Sequence, residues 1–330
     1  MIFFLVTSFP NINHAQGNST SELKKAFFRP LQIPYPKDNL YSKAKEDLGK
    51  LLFFDPRISG SNVTSCATCH NPSLSWGDSL AKGVGHGHLP LGRRSPTVLN
   101  LAWTERLFWD GRAASLEEQA LGPIQSEAEM NMVIDNLPKK LLAITGYPEL
   151  FKKAFPGELV TNQLVAKAIA TFERTLISEP SPFDGWVSGN ERAISNNAKK
   201  GFAIFNGKAK CVTCHSGWNF TDGSFHDIGM PDADLGRGKF LPKLISMQHA
   251  FKTPTLRDVA RRSPYMHDGS ERTLQDVIAF YDQGGKAARE GKSEDIHPLN
   301  LTSKEKTDLE EFLKSLTSDP KPFQVPILPN

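Results

Sequence analysis

The most regular hydrophobic pattern in the chain lies at 161–177, where Leu164, Val165, Ala168, Ile169, Phe172 and Leu176 recur at helical spacing on one face. That spacing predicts an amphipathic helix over Thr161–Ile177. Ser178-Glu179-Pro180-Ser181-Pro182 breaks it and marks a domain boundary, because proline lacks the N–H that a continuing helix needs. Upstream, Tyr41–Phe54 reads as a helix, and a long Gly- and Pro-rich loop follows at Gly77–Pro96. Downstream the order returns, with a helix at Asn196–Phe205 and a loop at Gly223–Pro254. Two more helices then follow. One opens with the capping box Thr273-Leu274-Gln275-Asp276 and stops at Gly284-Gly285; the other opens with Thr302-Ser303-Lys304-Glu305 and carries Leu309, Phe312, Leu313 and Leu316. Strand-like alternation is nearly absent. The expected fold is all-α with long loops, built from one block that occurs twice, over 21–180 and 181–330.

Composition adds little to this picture but excludes some functions. A chain of 330 residues is long enough for two domains with a core each. Hydrophobic content of 39% and charged content of 23% are ordinary for a soluble protein. A net charge of +3, with no more than two basic residues in a row, argues against nucleic acid as a partner. The apolar run Ile2–Phe9, followed by Asn13-His14-Ala15-Gln16, resembles the core and cleavage zone of an export signal without its basic start. Residues 1–20 are therefore expected to direct export to the periplasm as a soluble protein, since the run is too short to span a bilayer.

The chemistry is concentrated in the cysteines. All four fall into two identical patterns, Cys66-Ala67-Thr68-Cys69-His70 and Cys211-Val212-Thr213-Cys214-His215. In Cys-x-x-Cys-His the thiols add to the haem vinyl groups and the adjacent imidazole ligates the iron. The spacing suits this, because one helical turn sets both sulfurs at the porphyrin edge and the histidine beneath the metal. A single zinc held by four thiolates is the alternative, but zinc does not require a histidine directly after each second cysteine. Two covalently bound haem c groups are thus expected, one in each of two cytochrome c-like domains, with no cysteine left for a disulfide. Such haems are attached outside the bacterial cytoplasm, which agrees with export. The sixth position of each iron decides between electron transfer and chemistry. His86, His88, His226, His249, His267, Met230, Met247, Met266 and Tyr281 are all candidates for it.

Beyond the haem motifs, the chain resembles the bacterial di-haem cytochrome c peroxidases, with the MauG enzymes as a branch, from about residue 30 to 318. The resemblance rests on Phe108-Trp109-Asp110-Gly111-Arg112-Ala113, on Leu116-Glu117-Glu118-Gln119-Ala120 with Gly122-Pro123, and on Glu129-Met130. It continues through Asn219-Phe220-Thr221-Asp222, Thr253-Pro254-Thr255-Leu256-Arg257 and Pro264-Tyr265-Met266-His267-Asp268-Gly269. It implies that His70 is the proximal ligand of a peroxide-binding haem, with Gln119, Pro123 and Glu129 in the distal pocket. A carboxylate suits that place, since it can take the proton from one peroxide oxygen and return it to the other. By the same resemblance Trp109 lies between the haems and couples them. His86, sixteen residues after His70, matches a switchable distal ligand, with His88 its rival in the same loop.

Two positions depart from the usual family pattern. Where typical peroxidases place a methionine ligand to the second haem, fourteen residues after His267, this chain has Tyr281, as in MauG. A phenolate is a hard anionic donor and lowers the reduction potential relative to a thioether. Family members usually hold one Ca²⁺ between the domains through an Asn side chain and backbone carbonyls. Here the aligned side chain is Arg94 and the carbonyls would be those of Arg262 and Pro264, so Ca²⁺ is doubtful. The expected activity is reduction of H₂O₂ at the first haem, with electrons relayed from the second, in the manner of a cytochrome-c peroxidase. A reduced small cytochrome or copper protein would be the donor. The alternatives are a MauG-like oxidation of a protein or small-molecule substrate, and a plain di-haem electron carrier. A homodimer is compatible with the resemblance.

Overall fold

The structure is a computed structural model that describes residues 20–319 and 321–330. The run Ile2–Phe9, read as an export signal, lies outside the described residues. Eleven helices carry the described chain: α1 (Thr20–Lys25), α2 (Lys43–Phe54), α3 (Cys66–Cys69), α4 (Leu116–Gln125), α5 (Leu137–Leu142), α6 (Tyr147–Ala154), α7 (Asn162–Arg174), α8 (Pro182–Val187), α9 (Asn196–Asn206), α10 (Leu274–Asp282) and α11 (Ser303–Ser315). Strand is confined to one antiparallel pair of two-residue strands, β1 (Phe225–His226) and β2 (Phe251–Lys252), and to isolated bridges. No helix among the described residues is long and apolar enough to cross a membrane.

The long helices start where a hydroxyl can take up a free N–H of the first turn. Ser42 accepts from Lys45 at the head of α2, Thr161 from Leu164 at α7, Ser195 from Ala198 at α9 and Thr302 from Glu305 at α11. The capping boxes at Thr273/Asp276 and Thr302/Glu305 form as their sequences imply. Helices α5, α6 and α8 lack a legible apolar period because each is short and begins on or beside proline. Helix α7 stops at Arg174, a turn short of the Ile177 expected, and the Ser178–Pro182 stretch that follows restarts the chain, with Ser181 capping α8.

Two cores result. In the first, Leu48, Leu52 and Phe53 of α2 pack on Val165, Ile169 and Phe172 of α7, with Ile124 of α4 and Phe151 of α6 closing the sides. In the second, Phe202 and Phe205 of α9 pack on Leu309 and Phe312 of α11, with Phe183 and Trp186 of α8 and Ile278 of α10. The helix pairs cross in the same way in both halves. A Cβ on Gly49 would lie 1.9 Å from the Ala168 carbonyl oxygen and 2.9 Å from the Phe172 Cβ. A Cβ on Gly201 would lie 1.9 Å from the Asp308 carbonyl oxygen and 2.7 Å from the Phe312 Cβ. Each crossing is so close that only a residue without a side chain fits, and a phenylalanine closes over it. The internal repeat is therefore a repeat of packing. The chain ends cross over: Phe27 is buried in the second core, against Phe183, Phe202 and Phe220. Phe323 stacks on Phe54 and meets Trp76 edge-on in the first.

Candidate active site

Each half holds its Cys-x-x-Cys-His motif in the wall of a cavity, and the two cysteine pairs line different cavities. They cannot share one zinc ion. Cys66, Cys69 and His70 line the first cavity, of about 410 Å³; Cys211, Cys214 and His215 line the second, of about 500 Å³. Both motifs follow the end of a core helix, and both are locked from behind. The His70 Nδ1 is 3.2 Å from the Trp76 carbonyl oxygen and the His215 Nδ1 is 2.9 Å from that of Phe220. A carbonyl only accepts, so Nδ1 carries the proton in each ring and Nε2 keeps its lone pair for a metal. Burial lowers both imidazole pKa values and so favours the neutral ligand form. Burial also pushes the Cys69 thiol up to about 11 and Cys211 to about 12, and raises Cys66 further. A cysteine pair beside an imidazole nitrogen that keeps its lone pair fits covalent haem c in both cavities.

The first cavity brings His70, Gln119, Pro123 and Glu129 together. Helix α4 buries Leu116, Ala120 and Ile124, which leaves Gln119 and Pro123 toward the cavity. A bidentate pair, Arg174 to Glu117 at 2.7 and 2.9 Å, fastens α4 to α7. After α4 the chain turns back on itself: the Met130 N–H donates to the Pro123 carbonyl and the Met132 N–H to that of Ile124. This return sets Glu129 in the same wall. Burial raises the Glu129 pKa, while its bond with Ser126 and the Arg112 guanidinium partly oppose the shift. A second acid, Glu173, also lines this cavity; it is 4% exposed, and burial pushes it up to about 8. Its Oε2 has no partner among the described residues, and no pattern in the sequence marks it.

His70 is the sole histidine among the described residues lining the first cavity. His86 and His88 form a tight turn beside it, with the His86 N–H donating to the Ala128 carbonyl at 2.9 Å and His88 exposed. The structure does not bring the His86 ring to the wall. That turn is held by backbone bonds within itself and to Ala128, so a sequence distance from His70 could not reveal whether His86 lines the cavity.

In the second cavity the structure gathers His226, Met266, His267 and Tyr281, and leaves Met230, Met247 and His249 outside the lining. His226 is held by Asp222 at 2.8 Å, a bond that chiefly drives its pKa up to about 10. Its donor atom lies within 4.8 Å of those of Asp222 and Cys214, the latter a haem-motif residue. The His267 ring stacks on Phe251 at 3.6 Å. Tyr281 projects from α10 with its hydroxyl making no hydrogen bond among the described residues, and burial raises its pKa.

Trp109 lines both cavities, as do Arg94, Pro96, Thr97, Leu101, Lys252 and Pro254. Its indole N–H donates to the Arg94 carbonyl at 2.9 Å, and its own carbonyl accepts from the Lys252 N–H at 2.8 Å. Next to it, Asp110 pairs with Arg93 at 2.6 Å, and Arg93 pairs with Asp234 of the second half at 2.6 Å. The calcium position of the resemblance does not suit a divalent cation here. An Arg94 Nη donates to the Arg262 carbonyl, and the buried Arg262 guanidinium itself donates to the carbonyls of Thr255 and Arg257.

Comparison with known proteins agrees with this arrangement. The pattern of the di-haem cytochrome c peroxidases matches residues 43–192, and that of cytochrome c matches 198–317. Methylamine utilization protein MauG of Methylorubrum extorquens is 49% identical over 96% of this chain and 90% of its own length. Cytochrome c551 peroxidase of Pseudomonas aeruginosa is 35% identical over 96% of this chain and 91% of its own. The crystal structure of a MauG-like protein associated with microbial copper homeostasis superposes with a TM-score of 0.81 at 30% identity, covering 88% of this chain and 95% of that one. With two cytochrome c-like halves, two haem-attachment motifs and relatives aligned along nearly its whole length, the chain belongs to the family of di-haem cytochrome c peroxidases that includes MauG.

Proposed function

We propose that this protein is an exported, periplasmic di-haem oxidoreductase that reacts with H₂O₂ at the His70 site and passes the oxidising equivalents, by way of the His215 site, to a protein or small-molecule substrate. The observation that carries this reading is Tyr281, an unbonded phenol in the wall of the second cavity where a typical peroxidase of the family has a thioether ligand. The 49% identity to a MauG protein supports the same choice. Haem c, when bound by Cys66, Cys69 and His70 and by Cys211, Cys214 and His215, supplies the iron that reacts with peroxide and holds oxidising equivalents.

The side chains of the chain do the rest. Gln119 orients peroxide by hydrogen bonding in the first cavity. Glu129 accepts a proton from the nearer oxygen and returns it to the departing one, and its raised pKa brings it closer to neutral pH than an ordinary carboxylate. Trp109, in the wall of both cavities, connects them through its ring. Tyr281 would hold the iron of the second haem through its phenol oxygen, a hard donor that would disfavour the reduced centre and so favour storage of oxidising power over uptake of electrons from a mild donor.

A second reading, H₂O₂ reduction with electrons from a reduced small cytochrome or copper protein, is supported by the 35% identity to a cytochrome c551 peroxidase. Gln119 and Glu129 in the first cavity speak against a plain electron carrier. Stopped-flow absorption with stoichiometric H₂O₂ separates the readings when followed by steady-state turnover with a reduced small cytochrome. The proposal expects spectral change at both haems and slow turnover with the cytochrome. Fast turnover, dependent on prior reduction of the second haem, would replace it with the second reading.

A further inference from the structure

The wall shared by the two cavities carries more positive charge than its own acids neutralise. Arg94 is 8% exposed and lines both cavities; one Nη donates to the Arg262 carbonyl, while its Nε has no partner among the described residues. Lys252 lines both cavities as well, and its ammonium makes no hydrogen bond or ion pair among the described residues. Among the described residues no acid lines both cavities, and several of the acids near this wall are engaged elsewhere. Asp234 and Asp110 hold Arg93, Asp222 holds His226, and Asp78 accepts from Ser95. A buried guanidinium N–H and a half-buried ammonium without anions are costly, and a structure keeps them where an anion or strong acceptor will meet them.

We propose that Arg94 is the built-in cation of the haem–haem junction: its guanidinium occupies the place of a divalent metal ion and, with Lys252, receives the propionate carboxylates of the two haems. The inference rests on the presence of two covalent haems and deepens that reading. Three features of the position support it. The Arg94 Nη already satisfies the Arg262 carbonyl, the acceptor that a metal would otherwise take. The buried Arg262 guanidinium adjoining it would repel a dication. Carboxylates are the anionic groups that haem brings, and a planar guanidinium matches them in geometry. The backbone of the same residues then transmits the clasp to Trp109, since Arg94 accepts from its indole and Lys252 donates to its carbonyl. Holding haem carboxylates would therefore also hold the bridging ring. A guanidinium neither dissociates nor responds to chelators, so the junction would be permanent where a metal-bound one is exchangeable.

The test uses the purified di-haem protein. Metal content is measured by mass spectrometry, and the midpoint potentials of both haems by optical redox titration, before and after EGTA treatment and after addition of Ca²⁺. The expected result is no stoichiometric calcium and no change in either potential. Arg94→Gln should lower the potential of at least one haem, because losing a nearby positive charge favours the ferric state. A tenfold shift in the oxidised-to-reduced ratio at fixed potential is expected, about 59 mV for a one-electron couple. Arg94→Lys should recover most of it, and Lys252→Met, which leaves the Arg262 clasp intact, should shift potentials in the same direction. One equivalent of bound calcium, a shift on EGTA treatment, or unchanged potentials in both Arg94→Gln and Lys252→Met would overturn the proposal. Should Arg94→Gln fail to accumulate, the chelation and Lys252→Met measurements decide it. A protein whose mass includes fewer than two haems would instead refute the two-haem reading, so the two failures are distinguishable.

Discussion

Glu129 and Glu173 line one cavity, yet their surroundings give them different chemistry. Glu129 has Ser126 and the Arg112 guanidinium acting on it, so its proton is held above the ordinary carboxylate value but remains transferable. Glu129→Gln is expected to slow the bimolecular reaction with H₂O₂ by about 10²–10⁴-fold, the usual worth of a positioned acid–base group. In the parent protein that rate should rise with pH through a pKa above 4.5, and the inflection should vanish in the variant. Stopped-flow rates across pH check both. Glu173, fully buried beside Cys66, is pushed up to about 8 and stays protonated at neutral pH. The unfolded chain releases that proton near 4.5, so stability is greatest below this value. It falls by up to about 1.4 kcal/mol per pH unit until the folded pKa is passed. Glu173→Gln should remove this slope; thermal unfolding at pH 5 and pH 8 that still separates as in the parent would contradict the assignment.

Among the elements, the two glycine crossings carry the architecture. Helices α2 and α7 approach through Gly49 as α9 and α11 do through Gly201, and in both cases a backbone carbonyl fills the space a methyl group would need. Backbone cannot rotate away as a side chain can. Gly49→Ala and Gly201→Ala should each cost about 1–3 kcal/mol by overpacking, seen as a lower thermal midpoint in the haem-loaded protein. Because α2 and α9 lead toward the motifs at 66–70 and 211–215, the change at Gly49 should disturb the first haem's spectrum and that at Gly201 the second's. Equal effects on both haems from either change would show that the halves do not pack as separate units.

At the scale of the whole molecule, function depends on the wall between the cavities. Trp109 is held there by Arg94 on one side and Lys252 on the other, while the Asp110–Arg93–Asp234 chain of ion pairs ties the two halves together. Trp109→Phe keeps an apolar ring but loses both the indole donor to Arg94 and an easily oxidised side chain. Peroxide added to this variant should perturb the second haem's spectrum at least tenfold more slowly than in the parent, as followed by stopped-flow absorption. An unchanged rate would mean that communication between the haems does not pass through Trp109.

Much of this was legible in the linear chain because its chemistry is local. Cys-x-x-Cys-His is complete within five residues, so the attachment sites and the repeat needed no tertiary information. The apolar period of 161–177 and the capping boxes at 273 and 302 likewise depend on neighbours within one or two turns, and α7, α10 and α11 form where those signals predict. What the sequence could not decide depends on groups distant along the chain. Position in space separates His86, which is not among the residues lining the first cavity, from Tyr281, which lines the second. Burial gave Glu173 its altered proton affinity, though nothing in its sequence context marks it. The crossing of Phe27 and Phe323 into opposite cores, and the meeting of Arg94 with the Arg262 carbonyl, join residues far apart in order. Sequence by itself determined which cofactor this chain is built to carry. Only the tertiary structure decided which charges stand between the two cavities, because electrostatics at a junction is set by distance in space and by the exclusion of water.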